Sequence, residues 1–410
     1  MNKIKDNIIE IVISIMVLIL LFYSSEPILY SDAQRFLSGS FNNTPLYQIV
    51  IKLMVSIFKT LSSVIILQTL LIGLSIILFT NTVSVYFNLD ILKKLLVSIF
   101  LFLPIIQFYD ILLTEPICYS FSLFFVSFVI KLIYELSIRN LIWSGIFVIL
   151  LLISRNQFLF LYPIILLVYL GIFIIHSSKK TLVLLVISFL SIFIIHNSLM
   201  IFNKKINNVK YENNNLINSK RGIFHFIYID SMYISSKKDA ELFKDQETKK
   251  LFNEIFTILD DRKAISKYYN GRGHFGLSYA VIRDVTKDKL YYIKDQESNL
   301  YMNIKKEISI KIISANLKDY IKLIFKKFYD STWLFIFIPF FVLLASSIEF
   351  FRYKSSLSFI IIFLSSFTLA NHSVVYMFGR VQPRYFIYTD FIFLIFIFII
   401  ISNFLKKKTN

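Results

Sequence analysis

Apolar residues run almost unbroken through ten stretches of this chain, near 8–23, 61–80, 95–109, 117–136, 141–154, 158–175, 181–202, 333–350, 357–378 and 385–404. A helix needs about 20 such residues to cross roughly 30 Å of hydrocarbon. The pattern predicts an all-α, polytopic membrane protein of about ten transmembrane helices, with 95–109 and 141–154 the shortest. The first run, Ile8 to Phe22, is followed by no small-residue cleavage site, so it is expected to stay as a helix.

Two segments depart from this pattern. Residues 44–60 are apolar but short and carry Lys52 and Lys59, which predicts a helix lying in the interface. Residues 203–330 are long and polar. They begin as loop around Asn213–Asn215, continue as a mixed-charge helical pattern over 239–269, and end in an amphipathic stripe. In that stripe Ile310, Ile313, Leu317, Tyr320, Ile321, Ile324 and Phe328 recur at helical spacing, with Lys311, Lys318, Lys322 and Lys326 off it. Three parts are expected: a membrane domain over 1–202 with its first outer loop at 24–60, an extracytoplasmic segment over 203–330, and C-terminal spans over 331–410. No internal repeat or inverted pair of broken spans is visible, which argues against a transporter.

Composition agrees with the pattern. Of 410 residues, 56% are hydrophobic and 17% aromatic, and the mean hydropathy is +0.67. The one cysteine, Cys118, excludes an intramolecular disulfide framework and any cysteine-based zinc site. The formal charge of +18 points to membrane lipid as a partner and not to nucleic acid, because the lysines flank spans or alternate with acids. The charges also set orientation. With the N-terminus inside, Lys3, Lys5, Lys93, Lys94, Arg139, Lys179, Lys180, Arg352, Lys354 and Lys406 to Lys408 fall on the cytoplasmic side, as the positive-inside rule requires. An even number of spans returns the C-terminus to the cytoplasm. The short outer loops then hold only Arg35, Arg155, Arg380 and Arg384.

A bilayer removes charge that has no task, so these exceptions are the candidates for chemistry. In Ser31-Asp32-Ala33-Gln34-Arg35-Phe36, Asp32 and Arg35 share a helical face. A carboxylate there can take a proton from a hydroxyl, and a guanidinium can grip a phosphate with two parallel hydrogen bonds. The second outer loop carries Asp110 and then Glu115, which also suits a helix's first turn electrostatically. Ser154-Arg155-Asn156 joins the fifth and sixth spans, and Arg380, Pro383, Arg384 and Tyr385 open the last. Arginines in separate outer loops suggest an anionic ligand. Each feature has a plainer reading: a surface ion pair worth under ~1 kcal/mol, or an arginine snorkelling to headgroups. His196 and His372 suit interhelical hydrogen bonds better than proton transfer. Gly271-Arg272-Gly273-His274-Phe275-Gly276 has no strand before it and reads as a turn, and Asp260-Asp261 as a solvated helix end. No metal-ligand motif appears.

The order of these features resembles the GT-C-fold integral membrane glycosyltransferases, nearest to bacterial protein-mannosyltransferase-like and aminoarabinose-transferase-like enzymes. The residues that carry it are Asp32, Arg35 and Phe36, then Pro45-Leu46-Tyr47, Thr114-Glu115, Ser154-Arg155 and Pro383-Arg384-Tyr385. The resemblance implies a polyprenyl-phosphate-sugar donor and a glycan, lipid or protein acceptor. It places transfer at the outer face of the cytoplasmic membrane, in cell-envelope assembly. By that likeness Asp32 is the general base and Glu115 orients acceptor or sugar. Arg35, Arg155 and Arg384 meet the donor phosphate, with Arg380, Tyr385 and Asp110 beside them as substrate-binding candidates. Many relatives place two acids together in the first loop, whereas here Ser31 precedes Asp32. A single-base inverting displacement is the simpler version, and a divalent cation stays open as a cofactor. Two other classes remain: a lipid-linked repeat-unit polymerase or ligase, and a flippase for lipid-linked sugars.

Overall fold

The computed structural model describes residues 8–23, 27–29, 37, 45–106, 108, 110–211, 223–268, 274–289, 298–378 and 385–409. Asp32, Arg35, Arg380 and Arg384 lie outside them. The described residues are about 89% helical, without strands. The chain divides into two compact units, one of residues 1–214, 338–371 and 383–410, the other of 215–337 and 372–382.

The first unit contains α1 (Ile8–Tyr23), α2 (Pro45–Phe58), α3 (Ser62–Phe87), α4 (Ile91–Phe102), α5 (Glu115–Tyr134), α6 (Ile138–Ser154), α7 (Leu161–His176) and α8 (Lys179–Tyr211). It also holds parts of α13 (Leu317–Tyr353) and α14 (Ser356–Phe378), and α15 (Ile387–Thr409). Among the described residues, six helical segments are long and apolar enough to cross a membrane: Ser62–Phe87, Glu115–Tyr134, Asn156–His176, Lys179–Asn203, Ile336–Tyr353 and Ser356–Tyr376. The protein therefore has the character of a multi-pass membrane protein. Ile9–Phe22, Pro45–Phe58, Ile138–Ser154 and Ile387–Ser402 are apolar but shorter. The run at 95–109 forms no single helix. α4 stops at Phe102 and a 3-10 turn follows over Leu103–Ile105. Pro104 lacks an amide proton and its ring crowds the preceding turn, so the α-helix ends there.

α5 is the central helix, buried on nearly every side. A helix apolar all round is the kind that sits inside a bundle. Its Phe125 meets Phe363 and Phe367 of α14 edge to face, with ring centres 5.8 and 5.9 Å apart. Several hydroxyls inside α3 and α5 turn back on their own helix: Thr69 donates to the Ile65 carbonyl and Ser127 to that of Leu123, while Thr80 and Tyr119 reach across to α4. Such back-bonding satisfies a hydroxyl where no water reaches it. At one end of the bundle Ile28 and Ile111 form a lone parallel bridge. The Ile28 amide donates to the Asp110 carbonyl at 3.0 Å, and the Leu112 amide to the Ile28 carbonyl at 3.2 Å. The described part of the first interhelical loop is thus tied to the segment that leads into Glu115.

The second unit contains α9 (Ile223–Ile234), α10 (Gln246–Asp261), α11 (His274–Lys289), α12 (Ser298–Ala315) and the first part of α13. Residues 274–276 open α11 and are not turn. Tyr228, Met232, Phe252, Ile255, Leu259, Ile282, Ile308 and Ile312 close over one another as its own core. The stripe over 310–328 is interrupted at Asn316, whose side chain donates to Asp239 and to the Ile312 carbonyl. Ile310, Leu317 and Ile321 face outward, while Ile308, Ile312 and Leu323 pack inward. No glycine or proline stands between 317 and 338, Pro339 is taken up inside the helix, and α13 runs on to Tyr353.

Inside this unit Lys327 donates to both oxygens of Asp230, at 2.7 and 2.6 Å, and to the Tyr376 carbonyl at 3.4 Å. Both side chains are almost wholly covered. Burial pushes the Asp230 carboxyl above its usual range, and the Lys327 ammonium opposes that rise. Removing one member of such a pair costs about 3–5 kcal/mol. In Lys327→Met the burial stays and the opposing charge is gone, so the carboxyl rises further. A folded acid that holds its proton more tightly than the unfolded chain adds stability at low pH, lost as pH rises through its raised value. The deficit of Lys327→Met against the native protein should therefore be large at neutral pH and shrink towards about pH 4, near the ordinary aspartate value. Thermal unfolding at both pH values checks this; an equal deficit at each would contradict it.

Candidate functional site

Three chain segments converge in the first unit. Thr114 and Glu115 start α5, where a carboxylate meets the positive end of the helix. Arg155 ends α6 in an extended conformation, its amide donating to the Leu151 carbonyl at 3.3 Å, and a 3-10 turn over Asn156–Phe160 follows. Tyr385 and Tyr388 stand at the entry to α15.

Arg155 Nη1 is 2.9 Å from Glu115 Oε1 and donates to the Tyr388 hydroxyl at 2.8 Å. The guanidinium carbon lies 4.6 Å from the centre of the Tyr385 ring. The Glu115 side chain is 2% exposed and that of Arg155 19%, so the pair sits mostly out of water, where its mutual attraction is strong. The Thr114 hydroxyl donates to Glu115 Oε2 at 3.2 Å. Both of these polar contacts of Arg155 are made by Nη1. Nη2 and Nε make no hydrogen bond to another described residue, and neither is sealed off without a partner. A planar fork with one corner fixed and the other donors unspent is suited to an oxyanion.

Amides brace this arrangement. Gln157 Nε2 and Asn371 Nδ2 each donate to the Tyr385 carbonyl at 3.0 Å, and Gln157 Nε2 also donates to Asn371 Oδ1 at 2.5 Å. Asn371 Nδ2 reaches Thr389 Oγ1 at 3.1 Å, and that hydroxyl donates to Asp390 Oδ1 at 3.2 Å. On another side of the entry to α5, the Tyr47 hydroxyl donates to Gln68 Oε1 at 3.2 Å, and Gln68 Nε2 to the Leu113 carbonyl at 3.3 Å.

Of the residues expected from sequence, Glu115, Arg155 and Tyr385 are brought together. Asp110 contributes its carbonyl to the bridge with Ile28, and its carboxylate makes no hydrogen bond or ion pair with that set among the described residues. Tyr388, Gln157 and Asn371 are additions that sequence reasoning missed; a hydroxyl three residues beyond Tyr385, one helical turn on, was the available signal for Tyr388. His196 takes the interhelical role expected for it, its Nδ1 lying 2.6 Å from the Tyr162 hydroxyl. In the second unit His372 is buried with its ring beside Tyr376. Among the described residues no three His, Cys, Asp or Glu side chains stand together as a metal would require.

No family model, no curated protein and no solved structure matches this chain.

Proposed function

We propose that the protein is a membrane glycosyltransferase. In this reading it moves a sugar from a polyprenyl-phosphate donor to a glycan, lipid or protein acceptor at the outer face of the cytoplasmic membrane. The observation that carries this is the Arg155 guanidinium, pinned by Glu115 and Tyr388, backed by Tyr385, and left with unspent donors. In the reaction, the bond from the anomeric carbon to the phosphate oxygen breaks and its electron pair stays on the polyprenyl phosphate. Arg155 stabilises that growing charge. The acceptor oxygen bonds to the anomeric carbon, and its proton passes to Asp32 as general base. Asp32 is four residues past Ile28, which is bridged to Ile111, and four residues reach at most about 14 Å. Glu115, held on Arg155, is assigned to positioning the guanidinium instead of to the acceptor. In this reading both termini lie in the cytoplasm, because the shorter helices α1, α6 and α15, and α4 with the 3-10 turn after it, also cross the membrane and bring the spans to an even number, ten.

The test is to incubate the purified protein with radiolabelled polyprenyl-phospho-sugars and envelope acceptors. Label should appear in a glycosidic product with release of polyprenyl phosphate, and Asp32→Asn at native membrane levels should abolish it. A protein that consumes no donor, yet carries labelled lipid across vesicle membranes, would make this reading wrong and the flippase right.

A further inference from the structure

The brace behind Arg155 has one arm left over. The Tyr385 carbonyl oxygen can only accept, so the amide atoms facing it must be nitrogens, which fixes the orientation of both Gln157 and Asn371. With Gln157 Nε2 committed to Tyr385 and Asn371, its Oε1 is directed elsewhere. That oxygen makes no hydrogen bond to any described residue and is not sealed off as an unpartnered atom. The Gln157 residue is half-buried. Two positions earlier, Arg155 holds Nη2 and Nε in the same condition. Unspent donors and an unspent acceptor thus stand on side chains whose backbones are rigidly linked through one 3-10 turn.

A fully ionised phosphate has no proton to offer such an acceptor, whereas a phosphodiester that carries a hydroxylated group offers both charge and donor. We propose that Gln157 Oε1 accepts a hydroxyl of the group esterified to the phosphate that Arg155 binds, so that Gln157 makes the site select a hydroxyl-bearing phosphodiester over the bare phosphate. This rests on the anion-binding reading of Arg155. The same residue would also position the site, through its grip on Tyr385, and the two roles separate in a binding experiment.

Full-length protein in lipid nanodiscs is titrated with a short-chain polyprenyl phosphate and with its hexosyl ester. The native protein should bind the ester about 5–10-fold more tightly, the worth of one neutral hydrogen bond. Gln157→Leu should bind both ligands alike, while still binding the bare phosphate. Mono-deoxy hexosyl esters on the native protein supply a measurement that needs no variant: loss of one particular hydroxyl should weaken binding by the same factor. A preference that survives in Gln157→Leu, no preference in the native protein, or a deoxy series flat within about twofold would overturn the proposal. Failure of the native protein to bind either ligand, or unchanged binding in Arg155→Leu, would instead remove the anion site itself.

Discussion

Arg155→Leu should lower the stability of the first unit by about 3–5 kcal/mol, because it leaves the Glu115 carboxylate buried without its guanidinium. The double variant Arg155→Leu with Glu115→Leu should recover most of that loss. A buried ion pair replaced by apolar groups of similar volume is often neutral, since the desolvation cost of both charges disappears together. Phosphate-ester binding should stay lost in the double variant, which separates the stability of the pair from its use. Arg155→Lys keeps the charge but forfeits the planar fork, and the stacking on Tyr385 with it, so it should be folded and weak in binding. Thermal unfolding of the detergent-solubilised variants reads the first effect. A double variant as unstable as the single one would show that the ion pair is not the dominant contribution.

Gly171→Val should also be damaging, for a steric reason. A Cβ at Gly171 on α7 would clash with the tip of the Phe359 ring on α14, against Cζ and both Cε atoms. That ring cannot swing aside: it is 2% exposed, and Phe350 lies against it with centres 5.2 Å apart. Overpacking of this kind costs about 1–3 kcal/mol and sometimes more, and close helix approach at small residues is a main source of association in lipid. Loss of monodisperse protein on size exclusion, with partial rescue by Phe359→Ala, is the expected result. Gly73 on α3 is the control. There the nearest atom is the Val17 Cγ2 methyl at 2.6 Å, the free end of a side chain, with the rest at 3.8 Å or beyond. Gly73→Ala should therefore cost much less, helped by the roughly 0.5–1 kcal/mol that alanine gains over glycine in a helix. If both glycines respond equally, the Phe359 contact is not the cause.

The helical class and the membrane character were legible because unbroken apolar runs have few other uses. Boundaries were less so. Pro104 was a readable stop inside the run at 95–109, overridden there by hydropathy alone. Between 317 and 338 the chain contains no breaker, and an expected change from surface helix to span became one continuous α13. At the candidate site Glu115 and Arg155 stood out because charge is rare at the ends of apolar runs. Tyr385 stood out through its neighbours. Gln157, Asn371 and Tyr388 did not, since uncharged polar groups within apolar helices usually satisfy themselves locally, as Thr69 and Ser127 do. Which of them reach across to another helix depends on rotation about the helix axis, and one sequence does not set that rotation. Asp32, Arg35, Arg380 and Arg384 fall outside the described residues, so the structure neither joins them to Arg155 nor parts them from it.

The bridge between Ile28 and Ile111 has a consequence for how the protein is made. The ribosome completes residue 28 long before residue 112, whose amide closes the second of the two hydrogen bonds. Until the fourth helix has been made, Ile28 has no backbone mate at Ile111, and the bridge closes only as the fifth helix begins to emerge.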